Sequence, residues 1–300
     1  MQSIIGIVIV LGCVFGGFLF MGGTFSVIWQ PIEMLIILGS GAGALVVGNP
    51  RHVLLEMKHQ VVKVVTGSKR ESEFQRQLLL LMYELLQTAA GGLKALDAHV
   101  EAPHESELFK RYPLVLAEPK LLAFIVDNFR LMAMGKINAH ELEGVLDQEI
   151  EAIHEEMVQP SKSLHKIAEG MPGFGIMAAV LGIVMTLNSV ADGATSGEIA
   201  THVAAAMVGT FLGVFFCYGL LDPLSSMMKQ VVQEELSTLE SVKVVLVTHV
   251  AGKPPLLAID AGRRLVQLNT KPSFAKLEGW IENLRNGADG AGGDGRVQQG

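Results

Sequence analysis

The sequence predicts an all-α integral membrane protein, with four transmembrane helices and a large helical cytoplasmic domain between spans two and three. Three observations carry this prediction. Half of the 300 residues are hydrophobic and only 18% are charged, with a mean hydropathy of +0.41. Four apolar runs approach the ~20 residues a helix needs to cross a bilayer. All 23 lysines and arginines fall within 49–171 and 224–300, leaving the turns Met21–Pro31 and Ala191–Ala200 without any. By the positive-inside rule both polar regions, and with them both termini, are expected in the cytoplasm.

The first helix pair occupies 1–48. Ser3–Phe20 has no basic residues ahead of it and no small-x-small cleavage site before the turn MGGTFSVIWQP, so it reads as a retained helix rather than a signal peptide. Ile32–Gly48 is rich in small residues (Gly39, Gly41, Ala42, Gly43, Ala44). Trp29 precedes it as an interfacial anchor, and Glu33 lies at the membrane edge.

Residues 49–171 read as a folded helical domain. Phe74, Leu78, Leu81, Met82, Leu85 and Leu86 follow helical spacing up to the stop at Gly91-Gly92. Ser106-Glu107 opens a short turn that Pro113 is expected to end, and Leu121–Met134 is an amphipathic run closed by Gly135. Asn138 with Glu141 resembles a capping box. It leads a helix whose apolar stripe is Leu142, Val145, Leu146, Ile150, Ile153 and Met157, and whose acidic face (Glu143, Asp147, Glu151, Glu155) reads as solvated. Pro160 is expected to end that helix.

Residues 172–223 form an apolar hairpin, Pro172–Val190 and Thr201–Pro223. Small residues recur at close-packing spacing: Gly175, Ala178, Ala179 and Gly182 in one arm, Ala205, Gly209, Gly213 and Gly219 in the other. In lipid, such spacing lets backbones approach, and packing rather than hydrophobicity drives association. These faces point to a multi-helix assembly. A cytoplasmic helical extension follows over 224–285, with a long helix expected up to Gly252, and a Gly/Asp-rich tail expected without structure over 286–300.

Several function classes are excluded. There is no phosphate-cradling glycine loop, HExxH, G-x-S-x-G or Cys/His cluster, so no enzyme, cofactor or metal is expected. Cys13 and Cys217 both sit in apolar runs and offer neither a disulfide framework nor ligand spacing. A net charge of −7 without a basic, aromatic-laced run argues against nucleic acid. No Asp, Glu, Lys or Arg lies inside any span, whereas proton movers need an intramembrane ionisable group. Either the chain conducts nothing or a partner helix supplies the carboxylate. The hairpin's interior hydroxyls are Thr186 and Ser189 in the first arm and Thr210 and Tyr218 in the second. Thr210 has two open roles: bonding back to the Ala206 carbonyl, or facing the ion path.

The run Ala206-Met207-Val208-Gly209-Thr210-Phe211-Leu212-Gly213 with Pro223, the stretch PGFGIMAAVLGIV, the N-terminal VFGG and MGG, and PHESELFKRYP together resemble the MotA family, the larger membrane subunits of the flagellar stator. The ExbB/TolQ families share only the first of these signatures. The resemblance covers Met1 to Arg285. It implies a pentameric homo-oligomer in the bacterial inner membrane, surrounding the spans of a MotB-like dimer whose aspartate carries the ion. It also implies a cytoplasmic domain that drives the rotor protein FliG through charged contacts. Pro172 and Pro223 match the prolines that flank the family's pore helices, and Thr210 and Tyr218 lie between them on the expected ion pathway. Sodium-type relatives carry threonine where this chain has Ala179, so the implied coupling ion is the proton. The rotor-facing pair is an Arg followed by a Glu; here Ala89 and Asp97 hold those positions, and Lys94 is the nearest substitute cation. An ExbB/TolQ-like energiser and a non-conducting scaffold are the alternatives. The paired first spans argue against the energiser.

Overall fold

The computed structural model describes residues 2–66, 71–135, 137–191 and 193–292, with the side chains of 2–4, 93–95 and 287–292 left outside that description. Among the described residues every regular element is helical. The chain divides into two compact units: Met1–Gly67 with Glu155–Val232, and Ser68–His154 with Gln233–Gly300.

The first unit holds the apolar helices. α1 (Gln2–Phe20), a short α2 (Phe25–Ile28), α3 (Pro31–Gly48) and α4 (Arg51–Thr66) come from the N-terminus. They are joined by the later part of α10 (Ala139–Ala191), by α11 (Ser196–Val214) and a π-helical segment (Phe215–Leu221), and by the start of α12 (Asp222–Val250). By length and composition three helices can cross a membrane, those containing Pro31–Gly48, Ala139–Ala191 and Ser196–Val250, while the apolar stretch of α1, Ile5–Phe20, is shorter. One core gathers Ile37, Ala168, Met171, Ala178, Leu212 and Cys217; a second gathers Met57, Leu164 and Met228.

Pro160 does not end its helix. α10 runs unbroken for 53 residues with Pro160 and Pro172 inside it. An interior proline forfeits a backbone bond and costs about 3 kcal/mol, so something must offset it. Met157, Val158, Leu164, Ala168 and Met171 are buried on either side, and tertiary packing overrides the local penalty. Polar ties reinforce the same stretch. Gln60 Nε2 donates to the Met157 carbonyl at 2.8 Å, beside the carbonyl that Pro160 leaves unbonded. Ser163 Oγ donates to Asn49 Oδ1 at 2.5 Å, and Asn49 Nδ2 closes α3 on the Leu45 carbonyl.

The second unit is built around α5 (Glu71–Gly91), whose Leu78–Met82, Leu85 and Leu86 are buried. Gly92, at φ +129°, stops the helix in a backbone conformation that L side chains rarely adopt. α6 (Leu93–Glu101), α7 (Glu107–Lys110), α8 (Pro113–Leu116) and α9 (Pro119–Ala133) follow. Ser106 caps α7 by accepting from Phe109 N. Pro113 opens α8 rather than simply ending a turn, because proline is preorganised for the first helical position. The expected capping box forms: Asn138 Oδ1 accepts from His140 and Glu141 N, and Glu141 Oε2 accepts from Asn138 N.

Leu142, Leu146, Ile150 and Met157 are buried as their spacing predicts, but Val145 is 45% exposed. At 3.6 residues per turn it sits about 100° from the centre of that stripe. The acidic face is exposed, and Asp147 accepts from Lys243 of α12 at 2.7 Å.

α13 (Pro255–Arg263) and α14 (Phe274–Gly292) pack on α5, with Arg76 over the Trp280 ring. α13 buries Asp260 against Arg263 at 2.6 Å and Arg264 at 3.0 Å. Burial pushes this carboxyl up, but the two guanidiniums outweigh it and hold it below the ordinary range. α14 continues to Gly292, into the stretch from 286 that was expected to lack structure; 293–300 lie outside the described residues.

Candidate functional site

The site is the hairpin of α10 and α11. Its seam is made by backbone rather than side chains. A Cβ on Gly175 would lie 2.8 Å from the Gly209 carbonyl oxygen and 3.0 Å from Gly213 Cα. One on Gly213 would lie 2.6 Å from the Met171 carbonyl oxygen and 2.9 Å from Gly175 Cα. Further along, a Cβ on Gly182 would meet Ala206 Cβ at 3.0 Å. The small residues therefore join the two helices of one chain. What faces outward from the hairpin is larger: Ile176, Val180, Val184 and Leu187 on α10, and Val203, Met207 and Phe211 on α11, are exposed.

Thr186 bonds back to the Gly182 carbonyl at 2.8 Å, and Ser189 to that of Thr186 at 2.7 Å. Thr210 behaves differently. It forms no side-chain hydrogen bond among the described residues and is half-buried, so the return bond to Ala206 is absent. The preceding Gly209 packs on the Ala179 backbone: its Cβ position is 3.4 Å from Ala179 N. Thr210 thus directly follows the glycine that packs on Ala179, and among the described residues its hydroxyl is uncommitted. Pro172 is half-buried seven residues before Ala179, while Tyr218 is 68% exposed and Pro223 is exposed.

The π-helical segment was not legible in the sequence. Asp222 N bonds to the Cys217 carbonyl, five residues back. The wide turn precedes Pro223, which has no N–H and whose ring would press on the carbonyl four residues earlier in a regular helix. π-turns of this kind gather at functional sites. The available signal was a proline closing an apolar run, FFCYGLLDP. Phe15 of α1 packs edge-on to Phe211 and Phe215, and Val10 lies against Gly219, so α1 braces this segment. Just beyond it, His165 Nδ1 on α10 lies 2.8 Å from Asp222 Oδ1 on α12, and its Nε2 lies 3.6 Å from Glu169 Oε1.

In the second unit Asp97 is exposed on α6 while Leu96 and Val100 point inward. The Lys94 side chain lies outside the described residues, and Ala89 is half-buried near the end of α5. Sequence reasoning passed over Arg111. It lines a cleft of about 410 Å³ with Gln87 and Thr88, next to Ala89, and with His99, two residues from Asp97. Arg111 Nη1 holds Glu84 Oε1 at 2.8 Å, and Tyr112 Oη donates to Glu84 Oε2 at 2.7 Å. Burial and the Glu84 carboxylate push the Tyr112 phenol far above its usual range, so it stays a donor.

The comparisons agree with this geometry. Residues 4–92 match the family described as motility protein A N-terminal, and 120–241 the MotA/TolQ/ExbB proton channel family. The chain is 51% identical over 282 residues to chemotaxis protein LafT of Vibrio parahaemolyticus, covering 94% of this chain and 98% of that one. It is 37% identical to motility protein A of Escherichia coli, covering 95% and 97% of the two chains. The fold is that of the C. jejuni MotAB structure (TM-score 0.70, 18% identity, 91% and 98% covered) and of the flagellar MotAB stator complex from Bacillus subtilis (TM-score 0.66, 20% identity, 92% and 97% covered). The match of the N-terminal helices to a motility-specific family separates the chain from the ExbB and TolQ energisers. The chain belongs to the motility protein A (MotA) family, the non-enzymatic stator subunits of the flagellar motor.

Proposed function

We propose that this stator subunit couples proton flow to rotation as a pentameric ring around the spans of a MotB-like dimer, and that its cytoplasmic unit drives FliG. The solved neighbours are MotAB complexes, and the reading extends their pairing to this chain. One observation supports it above the rest: a closely packed hairpin whose acidic and basic residues between Pro172 and Pro223 lie only near its ends, Asp192, Glu198 and His202 at one and Asp222 at the other, with one uncommitted hydroxyl, Thr210, directly after the Gly209 that packs on Ala179. Such a wall cannot relay protons alone, so the titrating carboxylate comes from the partner. Thr210 offers that carboxylic acid a hydrogen bond. Ala179 offers no oxygen, whereas sodium must exchange its water shell for several. Four spans with both termini cytoplasmic put both polar regions on the rotor side, where Asp97 and Lys94 contact FliG. Pro172 and Pro223 mark where the hairpin bends against the cytoplasmic helices.

The test is swimming speed in sodium-free and sodium-replete buffer, each with and without a protonophore. Full speed without sodium and arrest by the protonophore are expected. Speed that collapses without sodium, or survives the protonophore when sodium is present, overturns the proton assignment.

A further inference from the structure

Going from the hairpin toward the proposed cytoplasmic side, the first acidic residue on α10 is Glu169, three residues before Pro172, and the first on the α11 arm is Asp222, directly before Pro223. One side chain touches both. His165 Nδ1 lies 2.8 Å from Asp222 Oδ1 and its Nε2 lies 3.6 Å from Glu169 Oε1. Among the described residues these two carboxylates are the acidic groups within ion-pair reach of the imidazole; the lysines nearest in sequence, Lys162 and Lys166, are exposed on the same helix. The His165 and Asp222 side chains are 52% and 38% exposed, enough for either to exchange protons with water.

We propose that His165, oriented by Asp222 and flanked by Glu169, is the proton-accepting station at the cytoplasmic mouth of the ion path. This rests on the proton reading above. A carboxylate only accepts, so Nδ1–H donates to Asp222 and the neutral ring keeps its lone pair on Nε2, toward Glu169. A proton arriving from water at the mouth binds Nε2, giving an imidazolium between two carboxylates. Nε2 then returns the proton to cytoplasmic water and the ring is neutral again; no other bond changes. Histidine suits this step because imidazole is the side chain that ordinarily changes charge near neutral pH. Asp222 fixes which nitrogen is open, as second partners do for catalytic histidines. Its amide also closes the π-helical segment, so the station is tied to the irregular turn of the pore helix.

The test uses the complete stator, with assembly followed by co-purification of the partner. His165→Gln and Asp222→Asn keep a polar contact between the helices but remove, respectively, the titrating ring and its orienting charge. Both should assemble and drive rotation more slowly than wild type. His165→Ala should recover speed on adding imidazole, and at different pH values the recovery should follow the concentration of neutral imidazole rather than the total. Wild-type speed should not respond. If His165→Gln rotates at wild-type speed, if imidazole restores nothing, or if neither polar variant assembles, the pair is a structural clamp and the proposal falls. Arrest of the wild type by a protonophore in the same assay keeps the proton reading separate: its failure there is a failure of the coupling ion, not of His165.

Discussion

Gly213→Ala is the sharpest probe of the hairpin seam. The added Cβ would stand 2.6 Å from the Met171 carbonyl oxygen, 2.9 Å from Gly175 Cα and 3.1 Å from Gly175 N. All three are backbone atoms, so no rotamer change relieves the clash. Reaching even 3.0 Å from the carbonyl requires the helices to part by about 0.4 Å, starting from the 2.6 Å contact. A radial gap approaching half an ångström already forfeits about a quarter of each dispersion contact it opens, and overpacking of this kind costs about 1–3 kcal/mol. The control is Gly173→Ala on α10, where nothing lies within 4 Å of the added Cβ. Both substitutions carry the same intrinsic helix gain, about 0.8–1.0 kcal/mol, so their difference isolates the seam. Unfolding in mixed detergent micelles, followed by helical circular dichroism, should place Gly213→Ala below Gly173→Ala by about 1–3 kcal/mol, a factor of about 5 to 150 in the equilibrium. Equal stability of the two variants would refute the backbone-on-backbone seam.

Other outcomes follow from the same geometry. Thr210→Val should leave the hairpin as stable as wild type, since no bond is lost, while slowing rotation; unchanged swimming would remove Thr210 from the ion path. Asp97→Lys should weaken rotation with the membrane complex still assembled, and normal motility would leave Asp97 a solvated surface residue. Asp260→Asn should destabilise the second unit by about 1–3 kcal/mol at neutral pH. Because the folded carboxyl is held below its unfolded value, that stabilisation is present above the unfolded pKa and is lost as pH falls through the folded one. The wild-type and Asp260→Asn thermal transitions should therefore converge in acid, and a gap that persists there would contradict the arginine pairing. Reporter fusions at Gly252 and Gly135 should be cytoplasmic and those at Ser26 and Gly193 periplasmic; a periplasmic signal from Gly135 would defeat the topology.

Much of this protein is written in local pattern. Apolar length marked the helices, and Gly91-Gly92 and Asn138/Glu141 marked ends that form as expected. These succeed because hydrophobic period and caps act within a turn or two of the chain. Three features needed the tertiary structure. Pro160 reads locally as a stop, yet α10 passes through it because buried side chains on both flanks and Gln60 outweigh one missing bond. The small residues announced close packing, but only the three-dimensional pairing of Gly175 with Gly209 and Gly213 decided that they join α10 to α11. His165 and Asp222, 57 positions apart, become neighbours only when the hairpin closes. Spacing along a helix specifies which residues share a face; which face meets which is a sum over many weak contacts between distant segments, and that sum exists only in the folded chain.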